Sequence, residues 1–434
     1  MNSRPARRIP ALLAWAATAV VIVVAATLVV VIVTNAPGGG SASTGATASA
    51  PVQSTAVPAA ARVPAAVGTL PAPGPVPVTT GIPEYYVSTD TLGNLMATDT
   101  VTGHQLARVP SPDGYQFTGV TAAADDRTFV VVASTATERR SWFLVTLVPG
   151  SAQPLRLRQL PMPSVFGAGT DLDGFALSGS GTELAIALNL AHITPTNERQ
   201  QAVVEVYSVT TGALLRDWSA TMPNGQWAFG YSSLGNNSDA FETNALTWVD
   251  GDRALVFPVK WHSADNLVHV TLRSLGLYAP GSDLLRGSRL IWSQQTTADS
   301  SHFQGCDPTG DPLVSADGKT VSCWSDSEAT IPASQKRLVN WTLAWQVYPV
   351  AAPGAPQDVF HKTLTDDPMH PPPSLSVVWT DTAGRTVLGY WGKSNGNASQ
   401  FKQGFGAVSA DGRFQDLPLP AQNVGTGTVK GIAW

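Results

Sequence analysis

Residues 313–325 read LVSADGKTVSCWS. A short apolar run from Leu313 meets a turn carrying Asp317 and Gly318, and a second run then carries Val321, Cys323 and Trp324. Two β-prone runs joined through Asp-Gly specify a tight antiparallel hairpin. The phrase recurs in altered form at 121–134 (TAAADDRTFVVVAS), 175–189 (FALSGSGTELAIALN), 246–261 (LTWVDGDRALVFPVKW) and 377–391 (VVWTDTAGRTVLGYW). Each copy reads strand, turn, strand, and each is followed by two further candidate strands. After the second copy these are 202–208 (AVVEVYS) and 213–219 (ALLRDWS), with Thr210-Thr211-Gly212 between them.

Four antiparallel strands per repeat, at spacings of roughly 54 to 70 residues, predict an all-β β-propeller. The chain ends supply a further blade. The last residues, 428–434 (TVKGIAW), read as an innermost strand that stops where its turn would begin. Residues 84–88, 94–99 and 105–109 read as the other three strands of the same blade. Joining them closes the ring and hides two strand edges that would otherwise invite association. Five internal copies and this composite give six four-stranded blades, with seven as the alternative.

Composition agrees with this fold. Hydrophobic residues make up 43% of 434, enough for a large core, and charged residues only 13%. The 39 Gly and 33 Pro match a turn-rich all-β chain. A net charge of −5 with no basic stripe argues against a nucleic-acid partner.

The first 81 residues are of a different kind. Residues 1–10 carry Arg4, Arg7 and Arg8, and 11–33 run without a charged side chain. As a helix that run spans roughly 35 Å, against about 30 Å for a bilayer core. It predicts a single transmembrane helix with the N-terminus cytoplasmic and the rest extracytoplasmic. A cleaved signal peptide is the alternative, but its apolar stretch is typically only about 7–15 residues. Residues 34–81, rich in Pro, Ala, Ser and Thr, read as a disordered linker. Residues 82–434 are then an extracytoplasmic propeller domain on a cell membrane.

The Ser-x-Asp-Gly phrase of Ser315-Ala316-Asp317-Gly318, and Ser178-Gly179-Ser180-Gly181, resemble the repeat of TolB-like and WD-type β-propellers. With the anchor and linker, the chain resembles uncharacterised membrane-anchored propeller proteins of actinobacteria. The Gly-His and Trp-Asp marks of true WD repeats are absent. The resemblance implies a fold and no activity, because propellers host many.

In such a fold the turns joining the first to the second strand, and the third to the fourth, share one rim. Here they read as short throughout: 124–127, 179–182, 316–319 and 210–212. The other rim receives the longer segments 191–201, 221–244, 293–311, 326–339 and 365–374. Long loops on a rigid scaffold are where binding residues gather. The richest is 221–244, with Trp227, Phe229 and Tyr231 as stacking surfaces beside Asn236, Asp239 and Glu242. His302, Asp366 and Asp367 fall on the same predicted rim and complete the candidate ligand-binding set. Aromatic planes beside amides and carboxylates suit a protein, peptide or glycan. The competing reading folds those aromatics back as packing. Most of the 13 Trp lie in or beside predicted strands and read as packing between blades.

Cys306 and Cys323 are the only cysteines, and in an extracytoplasmic domain an even pair predicts a disulfide. No spacing of the seven His makes a metal site, and no cofactor motif is present. No G-x-S-x-G elbow or S-x-x-K occurs, so catalytic residues are not identified. The expectation is a binding module. The first alternative is a hydrolase or lyase of a cell-wall or extracellular polymer, using Asp239, Glu242, Asp307, Glu328, Asp366 or Asp367. The second is a structural component of an envelope complex.

Overall fold

The computed structural model describes Val76 and residues 81–90, 92–137, 139–164, 170–190, 200–223, 225–229, 246–262, 267–278, 281–297, 312–329, 339–351, 357–366, 375–380, 386–393, 401–409, 413–418 and 431–433. The expected membrane helix at 11–33 lies outside them. Among the described residues no helix is long and apolar enough to cross a membrane.

The strands fall into six antiparallel sheets. The first holds β1 (Tyr85–Thr89), β2 (Leu95–Asp99) and β3 (Gln105–Val109). The second runs β4 (Gln116–Ala122), β5 (Thr128–Ser134), β6 (Arg140–Leu147) and β7 (Leu155–Gln159). The third runs β8 (Thr170–Leu177), β9 (Glu183–Leu190), β10 (Gln201–Ser208) and β11 (Leu214–Thr221). The fourth has two short inner strands, β12 (Gln226–Ala228) and β13 (Thr247–Val249), then β14 (Ala254–His262), β15 (Leu267–Gly276) and β16 (Ser288–Thr297). The fifth runs β17 (Leu313–Val314), β18 (Thr320–Ala329), β19 (Val339–Pro349) and β20 (Gln357–Asp366). The sixth runs β21 (Leu375–Thr380), β22 (Thr386–Lys393), β23 (Phe401–Val408) and β24 (Phe414–Leu417), and β25 (Gly431–Ala433) returns to the first sheet. All five copies of the hairpin phrase are paired strands, including Leu313↔Ser322 in the phrase that begins at Leu313.

The inner strands, with β18 beside them in the fifth sheet, touch in sequence around a ring. β4 lies against β25 and β8, β13 against β8 and β17, and β21 against β18 and β25. The last contact closes the circle, so the protein is an all-β β-propeller. β25 pairs with β1 through Val87↔Ala433, Ser88↔Ile432 and Thr89↔Gly431. Both chain ends therefore share one sheet.

The two-residue period of a strand builds the core. In β5, Phe129, Val131 and Ala133 face the first sheet, while Val130 and Val132 face the third. In β14, Leu255, Phe257 and Val259 pack toward the third sheet and Val256 toward the fifth. Burying each such large side chain stabilises the fold by roughly 1.5–3 kcal/mol. The core therefore consists of successive layers between sheets. Trp142, Trp218, Trp248, Trp292 and Trp345 are buried in these layers.

Two expectations need correction. The turns of the short-turn rim are not short throughout, because residues 277–287 join β15 to β16 and include a helical turn, Leu284–Gly287. Asp283 caps it by accepting from the Arg286 amide at 2.8 Å. Leu284 is buried, and the turn packs on β11. The long loops are also shorter than read, because the flanking strands run on. β16 continues to Thr297, β18 to Ala329 and β20 to Asp366.

Candidate functional site

At the rim of the first-to-second turns, the described residues fasten the first five sheets to one another in succession. Asp126 Oδ2 accepts from the Glu84 amide at 2.7 Å and the Tyr85 amide at 3.3 Å, holding the start of β1 to the second sheet. The Ala124 amide donates to Gly179 O at 3.0 Å, joining the second sheet to the third. Both oxygens of Asp252 are engaged, by the Gly179 and Ser180 amides at 2.8 Å each, joining third to fourth. The Asp250 amide donates to Ala316 O at 3.0 Å, joining fourth to fifth. Within the turns, Ser178 Oγ accepts from the Thr182 and Glu183 amides, and Ser315 Oγ accepts from the Thr320 amide.

Two carboxyls on this rim are perturbed. Burial pushes Asp126 up to about 6 despite Arg127 beside it and the two amides bound to it. Burial, reinforced by the charge of Asp252, pushes Glu183 up to about 7. Val76, within the expected linker, also reaches this rim. A Cβ placed on Gly179 would lie 2.6 Å from Val76 Cγ1, so a side chain there would have to displace that valine. β1 starts at this rim, so the chain enters the domain on the face opposite the long connections.

Toward the opposite rim the main feature is a break in the inner wall of the fourth sheet, midway along β14. β12 pairs with 259–261 of β14 and β13 with 254–256, and residues 230–245 lie between the two half-strands in sequence. The inner strands of the second and third sheets are irregular at the same register. β4 bulges between Phe117 and Gly119, and β8 between Leu172 and Gly174, each four residues into the paired strand. A bulge already interrupts the ladder, so an insertion at that register forfeits little further pairing.

The structure divides the residues singled out from sequence. Trp227 belongs to β12, and Phe229 follows that strand directly and is still bonded to β14. Trp227 is half-buried and pairs with Lys260 across β14. Phe229 is 3% exposed, with its ring 5.6 Å from that of Phe257, so it presents no stacking face to solvent. Asp366 ends β20 opposite Val339. Tyr231, Asn236, Asp239, Glu242, His302, Asp367 and Cys306 lie outside the described residues. Cys323 is buried beside Tyr348 and Val321, and no free cysteine occurs among the described residues. Among them, too, no group of His, Cys, Asp and Glu is placed to hold a metal ion.

Sequence reading passed over three residues that belong to this rim. Gln200 accepts from the Ala228 amide at 2.8 Å through its oxygen and donates to Ala228 O at 3.3 Å, binding β12 to the third sheet. Trp261 and His269 stack at 4.8 Å with planes 1° apart. Gln226, Trp261, His269 and Gln295 form one cross-strand row through pairs Gln226↔Trp261, Trp261↔His269 and His269↔Gln295. The alternation in β14 pointed to a packed Trp261, but nothing along the chain ties it to His269.

No family model matches the chain, and no curated protein sequence is similar to it. Solved structures are similar at low identity. A protein of unknown function from Bacteroides caccae is 10% identical, with a TM-score of 0.40 over 81% of this chain and 98% of its own. AofleA from Arthrobotrys oligospora is 10% identical, with a TM-score of 0.39 over 81% and 89%. The β-propeller domain of the Trilobed protease from Pyrococcus furiosus is 11% identical, with a TM-score of 0.34 over 73% and 75%. Likenesses at this level carry no functional inference.

Proposed function

We propose that this protein is a membrane-anchored extracytoplasmic binding module that engages a protein, peptide or glycan on its long-loop rim. Residues 11–33 serve as the anchor, 34–81 as the spacer, and the six sheets are read as six blades. The observation that carries the proposal is the contrast between the two rims. One uses its turn amides and carboxylates to fasten neighbouring sheets. The other interrupts an inner strand to insert residues 230–245, which hold Tyr231, Asn236, Asp239 and Glu242. Entry of the chain at the fastened rim leaves the long-loop rim as the presented face. Cys306 and Cys323 form a disulfide in this reading, pinning the segment before β17 to β18. Polymer hydrolysis through rim carboxylates is the second reading.

The test places a photo-crosslinking residue at Trp227 in one full-length variant and at Lys319, in a short-rim turn, in another. Both are irradiated in the native cell envelope. Capture of one defined species from Trp227 and not from Lys319 supports the proposal. Equal capture from both positions, or none from either, removes the rim assignment. Turnover of a wall polymer, abolished by Asp239→Asn or Glu242→Gln, would establish the second reading instead.

A further inference from the structure

The fastening between the third and fourth sheets contains a second carboxyl that forms no part of the proposed binding rim. Asp252 is 3% exposed and sits at φ 64°, a backbone conformation that side-chain-bearing residues rarely adopt. Its two oxygens are held by the successive amides of Gly179 and Ser180. Such a pair of amides forms a concave nest suited to an anion, and the Asp252 carboxyl fills it. Glu183, three residues beyond Ser180 at the start of β9, is 5% exposed. Its own amide is bound by Ser178 Oγ, which also closes the turn bearing Gly179 and Ser180.

We propose that Glu183 and Asp252 form a proton-dependent clamp between the third and fourth sheets, tight while Glu183 is protonated and loosened when it ionises. Two buried carboxylates repel strongly where little water screens them. Both Asp252 oxygens are taken up by amides, while burial and the charge of Asp252 raise Glu183, so Glu183 is the partner that keeps a proton. The fourth sheet's turn also carries Asp250 and Arg253, and the second sheet's adjoining turn carries Asp125, Asp126 and Arg127. Of these charges, that of Asp252 acts on Glu183, together with burial. β10 brings Ser208 opposite Glu183 and no charge.

The sign follows from linkage. Glu183 has its carboxyl raised from 4.5 to about 7 in the fold. The folded state therefore binds more protons than the unfolded chain within that window. Its advantage is complete below about pH 4.5 and falls by roughly 300-fold in equilibrium constant as pH rises through 7. Above that, Glu183 is charged in both states and the slope vanishes.

The test compares urea unfolding of the full-length chain and its Glu183→Gln variant between pH 4.5 and 8.5. Glutamine copies the protonated acid in shape. The variant is expected to match the wild type near pH 5, exceed it in stability at pH 8, and lose its slope between 6 and 7.5. An unchanged slope in the variant would overturn the clamp. Should the variant not fold, hydrogen exchange in the wild type decides. Protection of the Gly179 and Ser180 amides, corrected for base catalysis, is expected to fall above pH 7, and pH-independent protection would sink the proposal.

Discussion

The Phe229 amide donates to the Pro258 carbonyl at 2.9 Å, extending the ladder of β12 by one residue. Phe229 holds this place at φ 68°, with its ring in the core against Phe257. One residue thus closes a strand, turns the chain and fills the layer between the third and fourth sheets. Phe229→Ala is expected to lower stability by about 3–5 kcal/mol. Phe229→Gly is expected to cost about 1 kcal/mol less than the alanine variant, because glycine adopts positive φ without strain. Trp227→Ala, at a half-buried position, is expected to cost less than either. Urea unfolding of the three variants gives the order, and a Phe229→Gly weaker than Phe229→Ala would contradict the backbone argument.

Asp252 bridges two sheets by accepting from two part-buried amides, so its loss leaves donors without acceptors. Asp252→Ala is expected to cost about 2–4 kcal/mol and Asp252→Asn about half as much, since one amide oxygen still accepts. Melting at pH 5, where Glu183 is protonated, isolates this effect from the repulsion between the two carboxyls.

Ring closure rests on three residue pairs between β1 and β25. Ile432 is 4% exposed, and Ile432→Ala is expected to cost about 2–4 kcal/mol. Removing residues 431–434 uncovers the edge of β1, and exposed edges associate. The truncated chain is expected to form concentration-dependent oligomers by light scattering while the alanine variant stays at its parent size.

The pH profile has two limbs. Asp126 is raised from 3.8 to about 6 by burial. The fold therefore binds its proton more tightly than the unfolded chain, and stability drops by roughly 3 kcal/mol as pH climbs from about 4 to 6. Asp317 lies on the other limb. Although partial burial works against it, hydrogen bonds from Ser315 and Lys319 and the charge of Lys319 hold it below its ordinary range. That contribution disappears as pH falls below 3.8. Maximum stability is expected near pH 4–5, and Asp126→Asn should flatten the descent toward pH 6 in urea titrations.

The proposed Cys306–Cys323 pair carries its own test. Intact mass before and after reduction should differ by two hydrogens, and reduction should lower the unfolding midpoint by the equivalent of about 3 kcal/mol. Equal masses would remove the disulfide from the proposal.

Much of the fold was legible because a hairpin is a local object. The turn at Asp317-Gly318 and the alternation around it are readable within 13 residues, and the register Leu313↔Ser322 follows. Ring closure was legible too, since residues 428–434 and 84–88 each read as an unfinished blade. The candidate site was less so. Trp227 and Phe229 look like loop aromatics because a Pro-Asn-Gly turn precedes them and polar residues follow. The strand that holds Trp227 and ends just before Phe229 is only three residues long and takes its pairing from β14, more than 30 positions away.

The sequence by itself determined the repeat, the alternation that layers the core, and the residues that end each chain segment. These depend on turn chemistry and the two-residue strand period, both set by near neighbours. Tertiary structure alone decided where the inner strand of the fourth sheet is interrupted and which carboxyls act on one another across sheets. Glu183 and Asp252 stand 69 positions apart, and Asp126 reaches back to Glu84. Their burial and charge arise only when the ring brings successive turns together, because desolvation and Coulomb repulsion act through space.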